Sequence, residues 1–101
     1  SVRLQLTRIR YYLANGEIER AIRLSRRKVD QAYAEDRVAD ALRFKQYLGR
    51  SLAASGDFEQ AYRVLDSWRS ENEQWFAERS QEAARTLNEI REMEILRAEA
   101  E

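Results

Sequence analysis

Apolar residues recur along this chain at three- and four-residue steps, interrupted by short polar turns. Val2, Leu6, Ile9 and Leu13 keep helical spacing over residues 2 to 14, with Tyr12 beside them. A second stripe, Ile18, Ala21, Ile22, Ser25, Val29, Ala32 and Tyr33, predicts a helix from Glu17 to about Tyr33. A third helix is expected from Asp36, its N-cap, through Val38, Ala41, Leu42, Tyr47, Leu48, Gly49, Leu52 and Ala53 to about Ala54. Gly56 then supplies the residue type that most readily turns left-handed after a helix end. Asp57 restarts the chain, with Gln60 placed as in a capping box, and Phe58, Ala61, Tyr62 and Leu65 form the expected inward stripe of the next helix. Gly49 and Ala61 are small enough to let two helix backbones approach. The pattern is one of helical hairpins.

Between Asp57 and Glu101 there is no further glycine and no proline, so nothing forces that helix to end. Ser70 with Glu73 is the one soft signal for a break. Beyond it the apolar positions thin to a seam. Phe76, Ala83, Leu87 and Ile90 fit heptad positions d, d, a and d, with Ser80 at an a position. Continuing the register reaches Glu94 and Arg97 and leaves Met93 and Leu96 off the seam. The expected division is two hairpins over residues 1–69 and a long helix over residues 70–101. That helix either caps the hairpins, with Trp68, Trp75 and Phe76 as core, or pairs with a second copy, or does both.

Leu48, Gly49, Gly56, Asp57, Phe58 and Ala61 together resemble the tetratricopeptide repeat. An earlier copy supports the resemblance: Gly16, Glu17, Ile18, Glu19 and Ala21 match Gly56, Asp57, Phe58, Glu59 and Ala61 at a constant offset of 40. The offset exceeds the family's usual ~34 residues, and Arg8 and Ile9 stand where Leu48 and Gly49 stand in the second copy. The fold class implied is all-α, a fragment of a helical solenoid followed by a long helix. Because stacked repeats generally need at least ~3 units to bury their faces, two units are expected to lean on further repeats, a partner or the last helix. The first helix has no cap signal beyond Ser1, and the chain is expected to be cut from a longer array.

The same offset pairs Arg3 with Arg43 and Arg10 with Arg50 on the face away from the packing stripe. The resemblance implies that this face lines a peptide-binding groove. Arg3, Arg10, Arg43, Gln46 and Arg50 are therefore the candidate groove residues, suited by their guanidinium forks to an acidic segment of a protein or peptide partner. The competing reading is a solvated, arginine-rich face. The order of parts, ASGDFEQAYRVL leading into a long charged helix, also resembles bacterial signalling proteins in which such a helix connects to a diguanylate cyclase or, less often, a histidine kinase. That resemblance covers residues 41 to 101 and implies a regulatory role, with any catalytic output outside the chain.

Composition narrows the chemistry. The 101 residues hold no Cys and no His, which removes thiolate and imidazole chemistry and the common zinc ligand sets. No phosphate-cradling glycine loop, nucleophile elbow or calcium loop is present. A non-enzymatic chain without cofactor or metal is expected. Charged residues make up 36% and the net charge is zero, but the charges are segregated: residues 1 to 30 are net +5, and residues 71 to 101 are net −5. The segregation favours matching between neighbouring chains or merely solvates each end. Arg20, Arg23, Arg26, Arg27 and Lys28 form a basic cluster on one helix, without interleaved aromatics or a recognition motif, so nucleic acid is not an expected partner. No apolar run has the ~18 residues a membrane span needs, and no signal peptide is visible. The expected compartment is the cytoplasm, with the periplasm left open.

The expected function is a sensory or interaction module that binds a partner, homodimerises through Phe76, Ala83, Leu87 and Ile90, and controls an output domain. The alternative is a free-standing adaptor or assembly scaffold whose last helix only caps the array.

Overall fold

A computed structural model describes residues 1–101. It is all-α, with four helices: α1 (Val2–Ala14), α2 (Ile18–Ala34), α3 (Val38–Ala54) and α4 (Phe58–Ala100). Three-residue turns join them, and the three turns are built alike. Gly16, Asp36 and Gly56 each take a left-handed conformation, at φ 75°, 57° and 89°. The next residue in each turn donates its N–H back to a carbonyl in the preceding helix: Glu17 to Tyr12, Arg37 to Ala32 and Asp57 to Leu52, at 2.8, 2.8 and 3.1 Å. This is the six-to-one bond that satisfies an open carbonyl at a helix end. The repeating unit is thus one helix plus one turn, and the offset of 40 is two such units.

Asp36 therefore does not cap α3. It occupies the position that glycine holds in the other two turns, and Arg37 is the N-cap residue without a side-chain bond. Arg37 instead pairs with Glu35 and Asp40, at 2.8 and 3.0 Å. Asp57 does cap α4, accepting from the Gln60 N–H at 3.2 Å. The capping box is only half formed, because the Asp57 N–H is already engaged by Leu52; the Gln60 side chain donates to the Asp57 carboxylate instead.

Two compact units divide the chain, Ser1–Glu71 and Asn72–Glu101. In the first, Leu6 and Ile9 of α1, Ala21, Ile22, Leu24 and Val29 of α2, Phe44, Leu48 and Leu52 of α3 and Ala61 of α4 form one core. The small residues set its spacing. A side-chain carbon on Gly49 would fall well inside contact distance of Leu65, so only glycine lets α3 lie this close to α4. In the first hairpin the same two register positions hold Ile9 and Ser25, both fully buried. Large and small have exchanged sides, which is why Ile9 can stand where the second copy has glycine. The Ser25 hydroxyl is satisfied by donating to the Ala21 carbonyl at 2.7 Å.

The expected inward stripe of α4 is corrected. Ala61 is buried and Leu65 half-buried, together with Val64 and Trp68, but Phe58 and Tyr62 are each 71% exposed. At ~100° per residue they lie about 60° and 100° round the helix from Ala61, on a flank that α3 does not reach.

α4 passes through Ser70 without a break. In the unit Asn72–Glu101, Trp75 is half-buried, meets Phe76 edge to face with centroids 5.2 Å apart, and lies under the Arg79 guanidinium. Phe76, Leu87, Ile90, Met93 and Leu96 are all exposed, so Phe76 is not core. No helix is long and apolar enough to cross a membrane.

Candidate functional site

α1 and α3 together line a cleft of about 590 Å³, walled by Arg3, Leu6 and Arg10 from one helix and Arg43, Gln46 and Tyr47 from the other. The repeat explains the arrangement, because Arg3 with Arg43 and Leu6 with Gln46 occupy equivalent positions on two helices of the same kind. Four of the five groove residues expected from the sequence, Arg3, Arg10, Arg43 and Gln46, come together here. Arg50 does not line the cleft; its guanidinium stacks over the Tyr47 ring, 5.2 Å from the centroid. Leu6 and Tyr47 went unrecognised as lining residues. The offset that pairs the arginines would also have paired Leu6 with Gln46, whereas Tyr47 reads as an ordinary member of the packing stripe.

The electrostatics of the cleft are one-sided. Three guanidiniums line it and no carboxylate does. Arg10 donates to the Thr7 hydroxyl at 3.4 Å, and that hydroxyl donates to the Arg3 carbonyl at 2.9 Å, which ties Arg10 to the α1 surface. The neutral donors and the aromatic ring beside the arginines give a surface that can hold an extended acidic chain by paired N–H···O bonds.

A second polar cluster joins three helices of the same unit. Lys45 of α3 pairs with Glu71 of α4 and donates to Ser67 at 2.8 Å, and the Tyr33 hydroxyl of α2 donates to Glu71 at 2.7 Å. Burial pushes the Glu71 carboxyl up, but the hydrogen bonds from Lys45 and Tyr33 and the Lys45 charge outweigh it and hold the group below its ordinary range. Burial, and then the Glu71 carboxylate, push the Tyr33 phenol up. The cluster is a clasp at the end of the hairpins. It was not visible in the sequence, because its members are up to 38 residues apart.

The candidate seam lies in Asn72–Glu101. Phe76, Ala83, Leu87 and Ile90 are exposed along one run of α4. Ile90, Met93 and Leu96 border one shallow apolar surface flanked by Glu89, Glu94 and Arg97, so the apolar run continues past Ile90 in three-residue steps. No group of three or more Asp or Glu side chains gathers where it could hold a metal ion. No protein-family model matches the chain, and neither a curated protein nor a solved structure matches it.

Proposed function

We propose that the chain is a non-catalytic interaction and regulatory module of the tetratricopeptide type. Its hairpins take an acidic peptide segment in the arginine cleft, and its C-terminal helix pairs with a second copy to control an output domain, a diguanylate cyclase in the first instance, outside the chain. The observation that carries the reading is the cleft itself, with three arginines from two equivalent helices and no carboxylate among them. Acidic side chains entering it find forked donors without displacing an internal counter-ion. Binding regulates if it favours one of two arrangements of the paired helices, and it does so only by its differential affinity for them.

The test is titration of a fluorescent Glu/Asp-rich peptide against the full chain at two salt concentrations. Binding should weaken with salt and fall roughly tenfold or more in Arg3→Ala/Arg43→Ala. Equal binding of the double variant and the parent would refute the cleft as the site.

A further inference from the structure

Leu96 has no part in the seam, yet it is 60% exposed. The apolar run that reaches it leaves Ile90 in three-residue steps, through Met93. Each such step turns about 60° round a helix, so Leu96 lies about 120° from Ile90. It stands instead among Glu89, Glu92 and Glu99, each within about 60° of it on one face of α4. All three glutamates are exposed, and none is held in an ion pair. The bases of this stretch, Arg91 and Arg97, stand about 140° and 100° round the helix from Leu96. The face is thus three carboxylates about one leucine, within the end of the chain that is net −5.

The arginine cleft is its complement. There Arg3, Arg10 and Arg43 lie beside Leu6 and Tyr47, three cations about an apolar pair, and none of the three is held in an ion pair either. Spacing agrees as well. Arg3 and Arg10 are seven residues apart on α1, as are Glu92 and Glu99 on α4, so each pair spans two turns, about 10.5 Å. We infer that the face of α4 carrying Glu89, Glu92, Leu96 and Glu99 docks in the arginine cleft of a second copy. The inference rests on the cleft reading above and names its ligand as an acidic segment that this protein itself carries. The occupant comes from another molecule because α4 is one unbroken helix. Returning its own residues 89–99 to the cleft needs a break, and no glycine or proline after Gly56 provides one. The seam residues Phe76, Ala83, Leu87 and Ile90 all lie at least about 120° from Leu96, so the same helix can pair through one side and dock by the other. Held by exposed charges and a single leucine, the contact is weak and salt-dependent. A partner's acidic peptide enters the cleft by displacing it.

The test is the average mass of the full chain over a range of concentrations, with Leu87→Glu/Ile90→Glu present throughout to disable the seam. At physiological salt, where charges are screened beyond about 8 Å, this chain is monomeric. At low salt its mass should rise with concentration, and the Glu/Asp-rich peptide should reverse the rise. Glu92→Arg/Glu99→Arg and Arg3→Glu/Arg10→Glu should each weaken the association about tenfold or more, and the chain carrying all four substitutions should regain it. Leu96→Gln, which leaves the charge unchanged, should weaken it about threefold or more. Asp30→Arg/Glu94→Arg makes the same change in net charge with the face intact and should leave the association standing. Every substituted position but the two of the seam background lies on the exposed surface away from that seam, and circular dichroism checks that each variant keeps its helices. A mass that stays constant at low salt would overturn the inference. So would a four-substitution chain that remains dissociated, or a control that loses as much as the face variant. Peptide binding that depends on Arg3 and Arg43 in a chain that never self-associates sinks this inference alone, whereas peptide binding indifferent to those arginines sinks the cleft reading beneath it.

Discussion

Single residues decide how closely the helices of the first unit approach and how sharply the chain turns between them. Asp36 holds a left-handed conformation that its two equivalents assign to glycine, with no side-chain bond from its carboxylate to offset the strain. Asp36→Gly should therefore stabilise the fold by about 0.5–1 kcal/mol, part of the relief being cancelled by the greater freedom of the unfolded chain. Urea denaturation with an unchanged m-value reads this directly. Gly49 is the opposite case. Gly49→Ala drives a methyl into Leu65 and should cost about 1–3 kcal/mol. Because the two hairpins exchange large and small at this pair, Leu65→Ala should recover part of the loss. A double-mutant cycle with no coupling would mean that the contact is not what makes glycine necessary.

At the scale of elements, the Lys45–Glu71–Tyr33 clasp ties the C-terminal end of α2 to the middle of α3 and to α4 by polar contact. Lys45 is largely buried and Glu71 about 40% exposed, so solvent screens part of the attraction. Glu71→Gln should cost on the order of 1 kcal/mol near neutral pH. The sign with pH follows from the direction of the shift. A carboxyl held below its ordinary value contributes stability above about pH 4.3 and loses it as pH falls through the lower, folded value. Parent and variant should accordingly converge in acid. A gap that stays constant down to pH 2 would assign the loss to packing. The Tyr33 phenol acts at the other extreme. Its raised value makes stability complete below about pH 10 and diminishing above it.

For the whole molecule the question is what covers the exposed apolar residues of α4. The proposed pairing through Phe76, Ala83, Leu87 and Ile90 predicts a mass near twice 12.0 kDa by light scattering, falling to 12.0 kDa in Leu87→Glu/Ile90→Glu with helicity retained. A parent that is monomeric at every concentration would remove the seam from the proposal.

The helical segments, the glycine turns at Gly16 and Gly56 and the equivalence of Arg3 with Arg43 were legible because each depends on local spacing or on the repeat. Apolar spacing sets a helix face, a small residue at positive φ ends it, and a repeat puts Arg3 and Arg43 in equivalent places. Even the turn at residues 35–37 was within reach, since Ala14, Gly16 and Ala21 recur as Ala34, Asp36 and Ala41 and again as Ala54, Gly56 and Ala61. An aspartate in a glycine position hid that shorter period behind the look of an N-cap. What the sequence could not supply is which side of an amphipathic helix finds a neighbour. Phe58 and Tyr62 are large and mainly apolar and stand in the register of Ile18 and Ile22, yet Ile18 and Ile22 pack on the core and Phe58 and Tyr62 are exposed. Burial belongs to the pair of surfaces that meet, and only the tertiary structure decides which surfaces those are.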